Sequence, residues 1–365
     1  MKVGIIGLPA TGKTSVFNAL TGGSAEVHAF SGAASADANL GVVPVPDDRQ
    51  DWLTGLYKPK KTTYATVEIV DVAGITAGTG EKGFSANFMT HLRQVDALVH
   101  VVRAFESAAV PHPDGSVNPL RDAELIELEL ILADLGVIEK RLEKLDQEIQ
   151  RKKGPERSQA EAEKEILARF KDELTNERPL RQLKLTDEED KVVRGYTFLS
   201  QKPLLVVANI GEEEIGKDAS VKKLKAFADS KGAPLVGFCA KTEMEIAQLD
   251  ESERTEFLQA MGIGEPGRDL LVRATYQLLD VIPFFTVGED EVKAWTITKG
   301  TNAQEAARKI HSDIARGFIR AEVAPYNALK ECGTWNGAKD KGLVRLEGKE
   351  YIVQNGDCIN FRFAV

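Results

Sequence analysis

The sequence predicts an α/β chain in which a mostly parallel sheet is interrupted by an inserted helical hairpin and followed by a small α+β module. Three observations predict it. Val3-Gly4-Ile5-Ile6 is a short apolar strand, and Gly7-Leu8-Pro9-Ala10-Thr11-Gly12-Lys13-Thr14 carries it into a helix with an apolar face, opened by Thr14-Ser15-Val16-Phe17. From Asp122 to about Ser200 the composition turns charged and leucine-rich. Near Asp280 it changes again, to short β-prone runs around one amphipathic helix. Residues 1–121 and 201–278 therefore read as one discontinuous α/β domain, 122–200 as its insertion and 279–365 as the module.

A chain of 365 residues is long enough to bury a substantial core. Its net charge of −9 excludes a polycation acting as a whole, so any nucleic-acid contact must come from a local patch. Cys239, Cys332 and Cys358 are too few and too scattered for a disulfide framework or a zinc site. The amino terminus runs straight into a core strand, and no apolar run reaches membrane-spanning length. A cytoplasmic protein without a membrane partner is expected.

The first loop fits G-x-x-x-x-G-K-[ST], the phosphate-binding loop, in the strand-to-helix context that the motif requires. Pro9, Ala10, Thr11, Gly12, Lys13, Thr14 and Ser15 are expected to surround the phosphates, with backbone N–H groups from Ala10 to Thr14 aimed at them. Lys13 neutralises β/γ charge and Thr14 offers a hydroxyl to Mg2+. The polar, aperiodic stretch from His28 to Asn39 reads as an exposed switch loop. Ser31 and Ser35 are its candidates for a second hydroxyl on the metal, with an ordinary surface serine as the alternative for each.

Thr66-Val67-Glu68-Ile69-Val70 is a strand ending in Asp71-Val72-Ala73-Gly74, the D-x-x-G that follows the second core strand of GTPase-like domains. Asp71 is placed to hold Mg2+ through water and Gly74 to bring its N–H to the γ-phosphate. Ile75 follows, where Ras-type enzymes carry a water-orienting glutamine. Isoleucine cannot hydrogen-bond water, so hydrolysis is expected to be slow or assisted from elsewhere. Gly78-Thr79-Gly80-Glu81-Lys82-Gly83 matches G-x-G-x-x-G but lies beyond that strand, and reads as a switch segment rather than a dinucleotide site.

Phe84 to Leu92 looks helical, and Ala97 to Arg103 is a buried strand in which His100 reads as a core histidine. His112 lies in the loop Pro111-His112-Pro113-Asp114-Gly115, where a mobile polar side chain is able to swing towards phosphate; a surface histidine is the alternative. Leu125, Leu128, Leu132, Leu135, Ile138, Leu142, Leu145 and Ile149 form an apolar seam near the coiled-coil period. Arg151-Lys152-Lys153-Gly154-Pro155 breaks it, and Ile166, Leu167, Phe170 and Leu174 return, which predicts an antiparallel hairpin. Its basic tip, through Arg157, is a candidate RNA contact, weighed against a solvated hairpin end.

Pro203 to Ala208 is another buried strand, delivering Asn209-Ile210-Gly211-Glu212 where GTPases place N-K-x-D. With Ile210 for lysine and Glu212 for aspartate, the motif weakens a guanine assignment. The next strand, Pro234 to Lys241, puts Cys239-Ala240-Lys241 at the base-contacting loop. In the last module, residues 284–287, 294–297 and 348–353 look like strands and Asn302 to Arg316 like one helix. Arg308, Lys309, Arg316 and Arg320 are candidates for an RNA-facing surface, against a solvated helix face.

Taken in order, Gly7-Leu8-Pro9 with Gly12-Lys13-Thr14, Phe17-Asn18-Ala19-Leu20-Thr21, Gly41-Val42-Val43-Pro44, Asp71-Val72-Ala73-Gly74 and His100-Val101-Val102-Arg103 resemble the YchF-type Obg-like ATPases. So do Ala294-Trp295-Thr296-Ile297, Lys309-Ile310-His311, Gly317 to Glu322 and Phe361-Arg362-Phe363, which resemble that family's TGS domain. The resemblance implies a G-domain-like P-loop NTPase with a coiled-coil insertion and a ubiquitin-like β-grasp TGS domain. It further implies an ATP-preferring, ribosome-associated member of the translation-factor class, binding ATP and ADP and acting as a slow translation- or stress-related switch. The family's N-x-x-E falls on Asn209 and Glu212, its hydrophobic replacement of glutamine on Ile75, and its hydrolytic histidine on His112. Ser35 aligns with the switch threonine. The family has asparagine where this chain has Ala10, which leaves a side-chain role in holding a monovalent cation open. A GTPase, and a ribosome- or RNA-binding switch in which hydrolysis is incidental, are the alternatives.

Overall fold

The structure, a computed structural model, describes residues 1–23, 39–71, 86–217 and 219–364. The chain divides into two compact units, one of residues 1–42 and 68–271 and the other of 43–67 and 272–365. The strands in chain order are β1 (Lys2–Ile6), β2 (Asn39–Pro44), β3 (Lys61–Thr63), β4 (Thr66–Asp71), β5 (Ala97–Ala104), β6 (Leu204–Ile210), β7 (Leu235–Phe238), β8 (Val281–Thr286), β9 (Glu291–Thr298), β10 (Phe318–Pro325), β11 (Arg345–Glu347) and β12 (Asp357–Phe363). Helices α1 (Lys13–Thr21), α2 (Asp48–Tyr57), α3 (Ala86–Arg93), α4 (Pro119–Arg151) and α5 (Pro155–Thr175) precede β6.

The first unit holds a six-stranded sheet of order β2-β4-β1-β5-β6-β7. β1 runs parallel to β4 and β5, and β6 parallel to β5 and β7. Every residue of β5 and β6 is buried, as strands covered on both faces require. Because these strands are parallel and in register, with Ile5 opposite Asp71 and Arg103 opposite Asn209, their carboxyl ends meet at one edge. That edge gathers the Gly7 loop, Asp71, Arg103 and Asn209, the usual place for a ligand in an open α/β sheet.

Pro119 at the first turn and the Asn118 side chain, which accepts from the Arg121 N–H, start α4. Gly154 at φ 57 and Pro155 turn the chain into α5. The seam differs from the sequence expectation. Leu125, Leu128 and Leu132 are 41%, 37% and 49% exposed, whereas Leu135, Ile138, Leu142, Leu145 and Ile149 cluster with Ile166, Leu167, Phe170 and Leu174 as expected, joined by Ile131. Length explains it. With 33 residues in α4 and 21 in α5, the returning helix covers only the far part of α4 at about 1.5 Å per residue. The near part turns Ala123, Ile126 and Leu130 into the sheet's core instead.

His100 is in the core, as expected, and is 1% exposed. Burial, helped by the positive charges of Arg181 and Lys13, lowers its pKa from 6.5 to about 3. Its unfolded form takes a proton that its folded form refuses. Stability is thus complete above the ordinary value and is lost as pH falls from about 6.5 towards 3. Between pH 7 and pH 5 the loss is about 2 kcal/mol. Urea unfolding of wild type and His100→Leu at the two pH values checks this, since the stability gap between them should shift by that amount; parallel curves would refute the assignment.

The second unit holds a sheet of order β11-β10-β12-β8-β9-β3. β3 enters it by parallel pairing, Lys61 to Glu291 through Thr63 to Lys293, and Thr63 Oγ1 donates to Glu291. Residues 45–65, between β2 and β4 and including α2, therefore belong with the carboxyl-terminal module rather than with the first sheet. The helix expected over Asn302 to Arg316 is broken at His311, whose backbone is extended and whose Nδ1 accepts from the Asp313 N–H. The strand expected at 348–353 is absent as a strand: the Lys349 and Tyr351 carbonyls accept from Gln304 and Ala303 in the first turn of the helix Ala303–Ile310. Those donors have no partner inside a helix, so capping outcompetes the ladder. Among the described residues, no helix is long and apolar enough to cross a membrane.

Candidate functional site

The loop between β1 and α1 needs backbone conformations that most side chains avoid. Gly7, Ala10 and Gly12 have φ of 151°, 61° and 88°. Glycine accepts these without cost, whereas Ala10 in the left-handed region costs roughly 1 kcal/mol. Gly12 caps α1 with no side-chain hydrogen bond, so the first N–H groups of the helix are left for an anion.

Lys13 folds back over this loop, its Nζ donating to Gly7 O at 3.0 Å and Leu8 O at 2.8 Å. Burial lowers its pKa from 10.5 to about 8, with the Asp71 carboxylate pulling the other way. Thr14 Oγ1 donates to Asp71 Oδ2 at 3.0 Å. Burial raises the Asp71 pKa, offset by hydrogen bonds from Thr14 and Asn39 and by the Lys13 charge. A desolvated carboxylate beside a hydroxyl is a hard-oxygen pair short of positive charge, which suits Mg2+ completed by phosphate and water. Among the described residues, no cluster of three or more His, Cys, Asp and Glu side chains is arranged to hold a metal by itself.

Asn209, near the end of β6, links the two ends of the site. Its Nδ2 donates to Thr11 O at 2.9 Å, and its Oδ1 accepts from the Ala240 N–H at 3.1 Å. A Cβ on Gly12 would stand 2.3 Å from Asn209 Nδ2, so glycine is required for this approach. The other residues expected at the base are used differently. Ile210 is buried in the core of the sheet, Cys239 is buried and accepts from Thr242 Oγ1, and exposed Glu212 pairs with Lys241 at 2.8 Å.

His112 is not the mobile side chain that its loop suggests. It is 8% exposed, and its Nε2 lies 2.9 Å from Asp122 Oδ2 while its Nδ1 accepts from the Asp114 N–H at 3.1 Å. The turn from His112 O to the Gly115 N–H and the first turn of α4 enclose it. Gly74, Ile75, Ser31 and Ser35 lie outside the described residues.

Two residues here have roles that the motif reading does not give them. Arg103, 1% exposed at the end of β5, donates to Ala10 O at 3.3 Å and to Val110 O at 2.7 Å, and lies over the Phe105 ring. It thereby ties the phosphate loop to the segment leading to His112. A charged residue inside an apolar strand was the available signal. Asp122 is the other, and it looks in the sequence like an ordinary first-turn acid. Four of the basic candidates on the surface are ion-paired: Lys152 with Glu148, Arg157 with Glu161, Arg308 with Glu305 and Arg316 with Asp313.

Residues 2–151 match a family model described as 50S ribosome-binding GTPase, and residues 281–364 match the YchF-GTPase_C model, described as a protein of unknown function. The ribosome-binding ATPase YchF of Bacillus subtilis is 44% identical, with 100% of both chains covered. That of Haemophilus influenzae is 40% identical over 100% of this chain and 99% of its own. The solved structure of the Schizosaccharomyces pombe YchF GTPase superposes with a TM-score of 0.88 at 32% identity, covering 99% of this chain and 97% of that one. With a G-domain-like sheet, the inserted hairpin and these full-length likenesses in hand, the chain belongs to the YchF-type Obg-like ATPases.

Proposed function

We propose that this protein is a ribosome-associated P-loop ATPase that binds Mg2+ and ATP and hydrolyses ATP slowly to ADP and phosphate. The observation that carries the reading is the Asn209 bridge, which joins the phosphate loop to the base corner in one hydrogen-bonded frame. Within that frame the place of the GTPase lysine is taken by Ile210, buried in the core, and the carboxylate of Glu212 is engaged by Lys241. Both features favour adenine over guanine. The names of the full-length relatives, ribosome-binding ATPases, support the same choice and the ribosome as partner.

In the proposed reaction water attacks the γ-phosphorus in line, and the bond from that phosphorus to the β,γ-bridging oxygen breaks, leaving ADP and inorganic phosphate. The N–H groups from Ala10 to Thr14 orient the phosphates, and Lys13 exchanges its loop carbonyls for β/γ oxygens. Thr14 and Asp71 would hold Mg2+, which when bound neutralises charge on the β- and γ-phosphates. His112 is the candidate to meet the attacking water, in a protein where Ile75 cannot. Gly74 and Ser35 keep their proposed places at the γ-phosphate and the metal. The hairpin tip and the module's basic residues are the proposed RNA contacts, and Ala10 leaves any monovalent cation to backbone oxygens.

A competition titration tests the base assignment. ATP should displace a fluorescent ATP analogue at lower concentration than GTP does, and the reverse order would overturn it. Cosedimentation with ribosomes should depend on the nucleotide bound; equal pelleting in every nucleotide state would count against a switch.

A further inference from the structure

The His112 and Asp122 side chains are each 2% exposed. Because Nδ1 accepts the Asp114 N–H, a neutral imidazole carries its proton on Nε2 and donates it to Asp122 Oδ2. Both ring nitrogens are therefore consumed within the protein. A group that activates water must reach it within hydrogen-bond distance, and this imidazole has no nitrogen left to do so. The arrangement differs from a catalytic dyad, in which the carboxylate takes one nitrogen and the other faces the reaction.

The carboxylate is itself pinned. Its Oδ1 accepts from Arg121 Nε at 2.9 Å and Nη2 at 2.7 Å. Asp122 also belongs to the helix that becomes the hairpin. Further along α4, Glu127 pairs with Arg181 at 2.7 Å, and Asp134 accepts from the Leu199 N–H, the Ser200 N–H and Ser200 Oγ. The helix is thus pinned at several points along its length, and its first turn grips His112. The segment leading to His112 is also held by Arg103, which donates to Val110 O and reaches Ala10 in the phosphate loop.

We propose that Asp122 is a positioning residue that withholds His112 from the hydrolytic water in the resting protein, and that displacement of the first turn of α4 releases the imidazole. This rests on the reading of His112 as the residue that meets that water. The hairpin then controls hydrolysis through one hydrogen bond.

Steady-state ATPase measurements on the full chain test it with Asp122→Asn, His112→Ala and the double variant. Asp122→Asn keeps the volume but exchanges a charge-assisted bond for a weaker neutral one, so kcat should rise about fivefold with KM for ATP nearly unchanged. The double variant should fall to the level of His112→Ala. A lowered or unchanged kcat in Asp122→Asn, while His112→Ala is impaired, overturns the latch and leaves the role of His112 standing. A rise that persists in the double variant also overturns it. An unimpaired His112→Ala removes both readings together. Where Asp122→Asn does not fold, acylation by diethyl pyrocarbonate of the nucleotide-free wild-type chain decides. His112 should react at least about tenfold more slowly than exposed His311, and equal rates would overturn the proposal.

Discussion

Lys13→Ala is expected to weaken ATP binding by about 10²- to 10³-fold, the cost of removing one partner from a desolvated, hydrogen-bonded charge contact. In the free protein Nζ is held by Gly7 O and Leu8 O, so the ammonium is already at the rim of the phosphate cradle. Binding therefore needs little reordering of a long side chain. Its lowered pKa has a second consequence. The folded protein carries this charge at a cost that is relieved as pH rises from about 8 towards the ordinary 10.5, so deleting it should not destabilise the ligand-free state. Isothermal titration should show the loss of affinity while the melting temperature without nucleotide stays level or rises. A change of less than about threefold in affinity would remove Lys13 from phosphate recognition.

Lys13→Arg should not rescue binding. A guanidinium is planar and broader than an ammonium, and the two loop carbonyls converge on a single point donor. The same geometry explains why the phosphate loop was legible from residues alone. Its glycines, lysine and threonine are required by backbone conformation and local charge, which depend on near neighbours in the chain. The alternation of buried strands, and the parallel sheet that follows from it, is local in the same sense.

What was not legible depends on distant partners. Leu125, Leu128 and Leu132 have the same spacing as the true seam residues, and only the length of α5 decides which leucines find a partner. Residues 348–353 have strand-like composition, yet their carbonyls cap a helix about forty-five residues earlier in the chain. His112 in a Pro-rich loop looks mobile until Asp122 is known to face it. The motif that contains Arg103 gives it no role and Asp122 belongs to none, because both residues hold others in place and such contacts leave no fixed spacing. The pairing of β3 with β9 is the same case at the scale of a domain, since nothing in 61–63 alone specifies a partner beyond residue 290.

Gly7→Ala provides the sharpest test of the loop's geometry, because two independent costs fall on one methyl group. At φ 151° an L-residue is strained, by about 1–3 kcal/mol. The added Cβ would also stand 2.3 Å from the Val101 carbonyl oxygen, which is backbone in the central strand β5 and cannot rotate away. Overpacking of this kind costs a further 1–3 kcal/mol or so. The expected destabilisation is about 2–6 kcal/mol, with loss of nucleotide binding in whatever fraction folds, since the loop must move off β5 to make room. Gly22→Ala is the matched control. Its φ is 64°, and an added Cβ meets nothing within 4 Å, so only the conformational cost of about 1 kcal/mol applies and ATP binding should survive. Urea denaturation and ATP titration of the two variants separate the contributions: similar losses of stability in both would mean that backbone conformation alone fixes these glycines, and that the contact between the phosphate loop and β5 does not shape the site.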